Sequence, residues 1–415
     1  MGHFINKKKI INDPVYGFIS IPSDLIFDLI EHPYFQRLRH IKQLGLTDLI
    51  YPGALHTRFH HAIGSLHLMG RTLDNLRLKG VDISDQEYEA AQIAILLHDI
   101  GHGPFSHALE DTLLSKVKHE SLSYLFMRQL NEELGGRLST ALQIFQNTYS
   151  KKFFHQLVSS QLDIDRLDYL TRDSFFTGVS EGSIGVQRII SMMDVHNDQL
   201  VIVEKGIYSI EHFLNARRLM YWQVYLHKTA VSAERMLVNL IKRAQYLTQA
   251  GEKLNCSEAL GFFIDKALTI EDFNQRKALN LYGKLDDSDI WGAVKLWQSH
   301  KDRILATLCQ MLLKRNLFQI DLTIQPIQKE KIELVRSGIA KTFNLLGKDT
   351  VYLFSHGTVS NEAYVSEGSG INIILKNGEV KDIASASDLP NIKALSKIVK
   401  KSYLCWPKNV FLNTL

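Results

Sequence analysis

Ser84-Asp-Gln-Glu-Tyr-Glu-Ala-Ala-Gln-Ile-Ala-Ile-Leu-Leu-His-Asp-Ile-Gly-His-Gly-Pro104 reads as a helix with a chemical end. Ala90, Ile93, Ala94 and Leu97 recur at three- and four-residue spacing, so they share one apolar face. Ser84 followed by Glu87 is the pattern of a capping box. Gly101-His-Gly-Pro104 stops the helix, and Ser106 is placed to cap the next. The apolar run ends in His98-Asp99. A buried His-Asp pair is costly unless its charge is paired or bound to a metal.

Outward from this segment the pattern stays helical. Leu66, Met69, Leu73 and Leu76 repeat the same spacing. The chain has eight prolines and none lies between 105 and 325, which suits long helices. Residues 1–20 read as a short extended segment with a turn at Asn12-Asp13-Pro14. After about 320 the character changes. Val351-Tyr-Leu-Phe354 and Ile371-Asn-Ile-Ile-Leu375 read as strands, and Lys376-Asn-Gly-Glu379 as a hairpin turn. Residues 389–401 read as a helix and Ser402-Tyr-Leu-Cys405 as a last strand. The expected fold is mainly α: a helical domain over 1–320 and a small α+β lobe over 321–415.

Composition narrows the function classes. The chain has 415 residues, 45% of them hydrophobic and 22% charged, which excludes a largely disordered chain. A net charge of +4 argues against a dedicated nucleic-acid binder and leaves room for a local basic pocket. Cys256, Cys309 and Cys405 are far apart, so neither a disulfide framework nor a zinc ribbon is expected. No run of 18 apolar residues occurs, and MGHFINKKKI lacks the apolar core of a signal peptide. A cytoplasmic setting is the expectation. Histidine is the outlier: eight of the 17 are His56, His60, His61, His67, His98, His102, His107 and His119.

His61, His98, Asp99 and Asp165 form a pattern H…HD…D, with 36 and then 65 intervening residues. Two imidazoles and two carboxylates make a mixed nitrogen and oxygen site, suited to Fe, Mn, Zn, Ni or Mg. Such a site generates a nucleophile from water and polarises phosphorus.

The pattern resembles the HD-domain metal phosphohydrolases. It is most similar to the deoxynucleoside triphosphate triphosphohydrolases related to the vertebrate sterile-alpha-motif/HD-domain enzyme. The resemblance rests on Asn12-Asp-Pro14, Phe35-Gln-Arg-Leu-Arg-His-Ile-Lys-Gln-Leu-Gly45, Tyr51-Pro-Gly-Ala54, Thr57-Arg-Phe-His-His61, Leu97-His-Asp-Ile-Gly-His-Gly-Pro-Phe-Ser-His107 and Asp163-Ile-Asp-Arg-Leu-Asp-Tyr-Leu-Thr-Arg-Asp173. Residues 217–228 extend it. It implies water attack on the α-phosphorus of a dNTP, releasing deoxynucleoside and triphosphate. It implies that His107 protonates the leaving 5′-oxygen with Glu110 orienting its ring, and that His102 and His119 stand in the active site. It places Arg58, Arg166 and Arg217 on the phosphates, where the guanidinium fork suits phosphate oxygens. Tyr169 lies over the same pocket, four residues after Asp165. Gln43 and Asp173 match positions that read the sugar 3′-hydroxyl. Leu44 and Tyr225 match positions that exclude a 2′-hydroxyl, and His227 matches a base-proximal one. Where the family often has Glu, this chain has His60 beside His61, a solvated neighbour or a perturber of the metal.

Some members of this family are activated by nucleotides at the interfaces of a tetramer. Lys9, Ile10, Glu31, Gln36 and Arg39 match the guanine-nucleotide positions, although the relative carries Asp at Glu31 and has one residue fewer between Asn12 and that position. The resemblance thus implies a GTP or dNTP activator and a dimer or tetramer. Two other readings stay open: a hydrolase of another nucleotide, or a non-catalytic nucleotide-binding regulator. Gly101-His-Gly103 and Gly368-Ser-Gly370 are not phosphate loops. Tyr221 and Trp222 read as core.

Overall fold

The fold is described from a computed structural model, for residues 9–105, 108–114, 117–266, 268–361, 364, 370–389 and 398–410. The chain opens with a hairpin, β1 (Ile10–Asp13) against β2 (Gly17–Ser20), paired Ile10 with Ser20. Asp13 makes its turn: its carboxylate accepts from the Val15 and Tyr16 amides, both at 2.9 Å. Helices then dominate. Arg58–Leu78 and Asp85–Leu97 pack side by side, and Ile164–Thr177 crosses the first of them. Their shared core includes Ala62, Ile63, Leu66, Ile93, Leu97, Leu167 and Leu170. The Ser84–Glu87 capping box forms, with the Glu87 amide donating to Ser84 Oγ and the Ser84 amide to Glu87 Oε2. The histidine-bearing turn follows directly after Leu97.

Among the described residues the other strands build two sheets. β3 (Met193–His196) and β4 (Gln199–Val203) form a hairpin inside the helical part. Its turn is Asn197-Asp198, both at positive φ (49° and 60°), as a two-residue hairpin loop requires. The sequence reading takes this region as helical and misses it. β5 is Gln319–Thr323 and β6 is Ser355–Ser360. β7 (Asn372–Ile374) pairs parallel with β4 and antiparallel with β8 (Val380–Asp382). β9 (Lys400–Trp406) lies between β5 and β6.

Three expectations are corrected. Residues 351–354 are not a strand; Thr350–Tyr352 is a 3₁₀ turn and β6 begins at Ser355. The reason is Asn239, which projects from the Lys228–Gln249 helix and donates to the Tyr352 and Phe354 carbonyls at 3.1 and 3.0 Å. These carbonyls find a side-chain partner in place of a neighbouring strand. The helix expected over 389–401 cannot reach 401, because Lys400 already belongs to β9; residues 390–397 lie outside the described residues. Tyr221–Tyr225 is a π-helical turn with Tyr221 and Trp222 half-buried, not core. The 320/321 boundary falls inside β5. Through β5–β9 and β4–β7, residues after 320 share sheets with strands of the helical part. The Lys376–Glu379 turn closes as expected, with the Leu375 amide donating to the Glu379 carbonyl and Gly378 at φ +83°.

Candidate functional site

Three segments meet at one point. The Arg58–Leu78 helix supplies His61 from its first turn. The end of Asp85–Leu97 supplies His98 and Asp99, and the first turn of Ile164–Thr177 supplies Asp165. His61 Nε2 stands 3.4 Å from His98 Nε2 and 3.1 Å from Asp165 Oδ1. His98 Nε2 is 3.3 Å from Asp99 Oδ1 and 3.5 Å from Asp165 Oδ1. His61, His98 and Asp99 are all buried.

The rings are aimed by their other nitrogens. His98 Nδ1 donates to the Ile95 carbonyl at 2.6 Å. A carbonyl only accepts, so Nδ1 carries the hydrogen and Nε2 keeps its lone pair. His61 Nδ1 donates to Asp168 Oδ2 at 2.8 Å, which leaves its Nε2 the same task. Asp168 is held in turn by Arg172 through Nε and Nη2, at 2.9 and 3.0 Å. Arg172 Nη1 donates to Asp13 Oδ2 at 2.8 Å, so the amino-terminal hairpin joins the chain of contacts. Asp168 and Arg172 are fully buried. Gly64 makes the space: a Cβ there would stand 2.1 Å from both Arg172 Nη2 and Asp168 Oδ1.

The donor chemistry fits one divalent ion. Two bonds of about 2.1 Å to one ion put their nitrogens about 3.0–3.4 Å apart, close to the observed 3.4 Å. The carboxylate–histidine arrangement at His61 is the usual support of a metal ligand. With nothing between them these groups hold protons by mutual attraction. Burial opposes charge on His61, but its hydrogen bonds to Asp165 and Asp168 win and push its pKa up to about 10. Asp99 is also opposed by burial, yet His98, His102 and Arg58 hold it well below the usual carboxylate range.

Around this centre the other residues fall into place. Arg58 Nη1 donates to Asp99 Oδ2 at 2.5 Å. His102 Nε2 lies 3.3 Å from Asp99 Oδ1, and its ring stacks on His119 at 3.8 Å. Burial and then Arg58 push the His102 pKa well below its ordinary value, so the ring is neutral. Glu110 Oε1 accepts from the His119 amide at 2.7 Å and from its Nδ1 at 3.1 Å. Glu110 therefore orients His119; His107, its expected partner, lies outside the described residues. Arg166 pairs with Asp163, the N-cap of the Ile164–Thr177 helix. Arg217 Nη1 donates to Gln161 Oε1 at 3.1 Å.

Among the residues expected to face a sugar, Asp173 is 1% exposed and already holds two partners. His56 Nε2 is 2.7 Å from Oδ1 and the Tyr225 hydroxyl donates to Oδ2 at 2.8 Å. The sequence reading counts His56 among the clustered histidines but gives it no role, and it passes over its stacking partner Phe176. Tyr169 meets Tyr225 edge-on at 6.0 Å. The Gln43 amide donates to the His56 carbonyl at 3.0 Å, and Leu44 is half-buried against the core.

Two of these histidines also cap helices. His60 is half-buried, and its Nδ1 accepts from the Thr57 amide at 3.1 Å and completes a capping box. Histidine thus does what Glu or Gln does in the usual box. His227 Nδ1 accepts from the Thr229 amide at 3.2 Å and caps the Lys228–Gln249 helix. At the expected regulatory positions, Lys9 Nζ sits over the Phe27 ring at 3.2 Å. Gln36 Nε2 donates to the Ile30 carbonyl at 2.7 Å, and Arg39 Nε donates to Gln36 Oε1 at 2.8 Å. Ile10 and Glu31 are exposed.

Comparison with known proteins accounts for this constellation. The HD domain profile matches residues 58–173, and the HD associated region matches 184–258. A phosphohydrolase of Bacteroides thetaiotaomicron of known structure is 50% identical, with a TM-score of 0.93 over 96% of this chain and 100% of that one. The chain belongs to the HD-domain phosphohydrolase family. HD domains bind divalent metal, which agrees with the donor set found here. YwfO of Bacillus subtilis, an uncharacterized protein, is 33% identical over 92% of this chain and 88% of its own length. A homolog of the deoxynucleoside triphosphate triphosphohydrolase SAMHD1 in Dictyostelium discoideum is 31% identical over 67% of this chain and 60% of its own length. In this HD-domain protein His61, His98, Asp99 and Asp165 all fall within the matched segment 58–173. Among its described residues, no helix is long and apolar enough to cross a membrane.

Proposed function

We propose that this HD-domain protein hydrolyses dNTPs to deoxynucleoside and inorganic triphosphate. One observation carries the substrate class: Arg58, Arg166 and Arg217 all attach to the segments that supply the metal donors. Arg58 rests on Asp99, and Arg166 and Arg217 rest on Asp163 and Gln161, just before Asp165. A triphosphate carries about four negative charges, and three guanidinium forks on or next to the donor-bearing segments would answer them. A nucleotide with one phosphate needs fewer. The SAMHD1 homologues among the relatives support the same class.

When bound, a divalent ion at His61, His98, Asp99 and Asp165 activates water and polarises the phosphoryl group. The water oxygen bonds to the α-phosphorus as the bond to the 5′-oxygen breaks. The leaving oxygen takes a proton, which we assign to His107, and triphosphate departs. Arg58 holds Asp99 and faces the phosphates. His102, neutral, and His119, oriented by Glu110, line the same wall. Asp173 accepts from His56 and Tyr225, and as a carboxylate it has further lone pairs for a sugar hydroxyl. Gln43, Leu44 and Tyr169 complete the sugar pocket, where a buried polar gate discriminates strongly between deoxyribose and ribose. Lys9, Ile10, Glu31, Gln36 and Arg39 are assigned to a GTP or dNTP activator, in a dimer or tetramer.

The test is one assay. The protein is incubated with each dNTP and NTP, singly and mixed, in Mg²⁺ or Mn²⁺, and products are separated by anion exchange beside Asp99→Ala. Deoxynucleoside plus triphosphate, absent in the variant, is expected. Turnover only in mixtures points to the activator, and Glu31→Ala should then abolish it. Every dNTP left intact by metal-loaded protein overturns the reading.

A further inference from the structure

The turn that follows Asp99 is irregular backbone in a buried place, so its polar groups need partners from elsewhere. They come from far along the chain. Arg37 Nη2 donates to the Ile100 carbonyl at 2.7 Å, and the Gly101 amide donates to Ser123 Oγ at 2.9 Å. The Tyr282 hydroxyl donates to the Gly101 carbonyl at 3.2 Å. The Phe105 amide donates to Asp287 Oδ1 at 2.9 Å. Phe105 has φ +50°, a conformation that a bulky residue keeps only when its surroundings fix it.

Asp287 does more than receive Phe105. Its other oxygen, Oδ2, accepts from the Lys42 amide at 2.9 Å. The Lys42 segment is joined to the start of the His61 helix: Lys42 bridges Thr57, and the Arg58 amide donates to the Ile41 carbonyl at 2.9 Å. Gln43 is the next residue. One carboxylate, 5% exposed, thus spans the sugar-side segment and the phosphate-side turn. It is not needed by its own helix, Asp287–Trp297, because Asp286 caps that and closes a box with Asp289. Arg37 runs beside it as a second brace, from the Leu285 carbonyl (2.9 Å) to Ile100.

We propose that Asp287 is a positioning residue that sets the register between Gln43 and the Asp99–Phe105 turn, and so the fit of a nucleotide across them. The inference rests on the nucleotide reading above. A carboxylate can accept from both amides at once. An amide side chain has one acceptor and turns a donor toward the other N–H, so Asp287→Asn breaks one link while keeping the shape.

The test uses the full metal-loaded chain as wild type, Asp287→Asn and Asp287→Ala. It measures kcat and KM on a dNTP, the rate on bis(4-nitrophenyl) phosphate, metal content, and amide exchange at Lys42 and Phe105. For Asp287→Asn, dNTP kcat/KM should fall about 10–100-fold, the scale of a misplacement near 1 Å. Metal content and the ester rate should hold, because the ester has no sugar to register. Asp287→Ala should lose more, and both amides should exchange faster together. Unchanged dNTP kinetics, or an ester rate that falls in step with the dNTP rate, overturns the proposal. If wild type leaves dNTPs intact, the substrate reading fails by itself, and Asp287 is judged on exchange: joint release of both amides supports the brace and release of neither refutes it. If the variants do not fold, wild-type exchange decides, and fast exchange at either amide refutes it.

Discussion

Gly64→Ala tests the support of the centre through a residue that has no side chain. An alanine Cβ would lie 2.1 Å from Arg172 Nη2 and from Asp168 Oδ1, and 2.9 Å from Asp168 Cγ. Ordinary contact begins near 3.4 Å, so the neighbours must give by more than 1 Å. They are not free to give. Asp168 is locked by Arg172 and by His61, and Arg172 is locked again by Asp13. A 1 Å retreat of the carboxylate takes the 2.8 Å bond to His61 Nδ1 beyond hydrogen-bond reach. Overpacking of this kind costs about 1–3 kcal/mol. Loss of a supporting carboxylate lowers metal affinity about 10–100-fold. Gly70→Ala is the control on the same helix: its Cβ meets Gln92 Nε2 at 3.0 Å and otherwise only Tyr88 Oη at 3.4 Å. Both changes gain about 1 kcal/mol of helix propensity, so Gly70→Ala should be neutral or stabilising. Thermal unfolding and metal analysis are run on all three proteins after dialysis against a weak chelator. A Gly64→Ala protein as stable as Gly70→Ala, with its full metal, would refute the chain of support drawn from His61 to Asp13.

Asp168→Asn should cost about 3–5 kcal/mol, because it leaves the buried Arg172 short of charge; a wild-type midpoint in urea would contradict this. Stripping the metal should lower the thermal midpoint and reloading should restore it, since binding at a thousandfold excess over Kd contributes about 4 kcal/mol. A midpoint indifferent to proven metal loss would place the ion elsewhere. Burial raises the Asp287 carboxyl to about 6 despite hydrogen bonds from the Lys42 and Phe105 amides, with Lys42 lowering and Asp286 raising it. Its folded pKa exceeds the unfolded one, near 4, so this stability is present below about pH 4 and is lost as pH rises through 6. The unfolding free energy of Asp287→Asn should therefore gain on wild type by up to about 3 kcal/mol between pH 4 and 7. A gap between the two proteins that stays constant with pH would refute it.

What the sequence discloses depends on how local the signal is. Ser84 and Glu87 are three residues apart, so their box is readable from the chain alone. His98-Asp99 announces itself by ending an apolar helix, and the four donors singled out by spacing do meet in space. His60 has a local role that its place beside His61 conceals, because its capping partner, Thr57, is three residues back. The β3–β4 hairpin hides among helices because its strands are only four and five residues long. The supports of the centre were legible only in part. Asp168 and Arg172 stand at helical spacing from each other and next to Asp165, a signal that was available. Asp13 and Asp287 gave none, because what they hold lies across the chain: Arg172 for one, and the backbone of Lys42 and Phe105 for the other.

That distinction bears on where the functional unit ends. The HD domain profile spans residues 58–173 and contains all four donors. It does not contain Asp13, which fixes Arg172, nor Arg37, Tyr282 and Asp287, which hold the turn after Asp99. Donors must be held within about 0.5 Å to work as a set. A segment cut to 58–173 would keep the ligands but lose Asp13, which through Arg172 and Asp168 aims His61, and would leave the turn after Asp99 short of the partners that set it against the Gln43 segment. The centre is thus built by the hairpin at one end, the helices in the middle and the 282–287 segment beyond them. A fit of TM-score 0.93 over the whole of a related phosphohydrolase, and not over its HD core alone, is what such a distributed support requires.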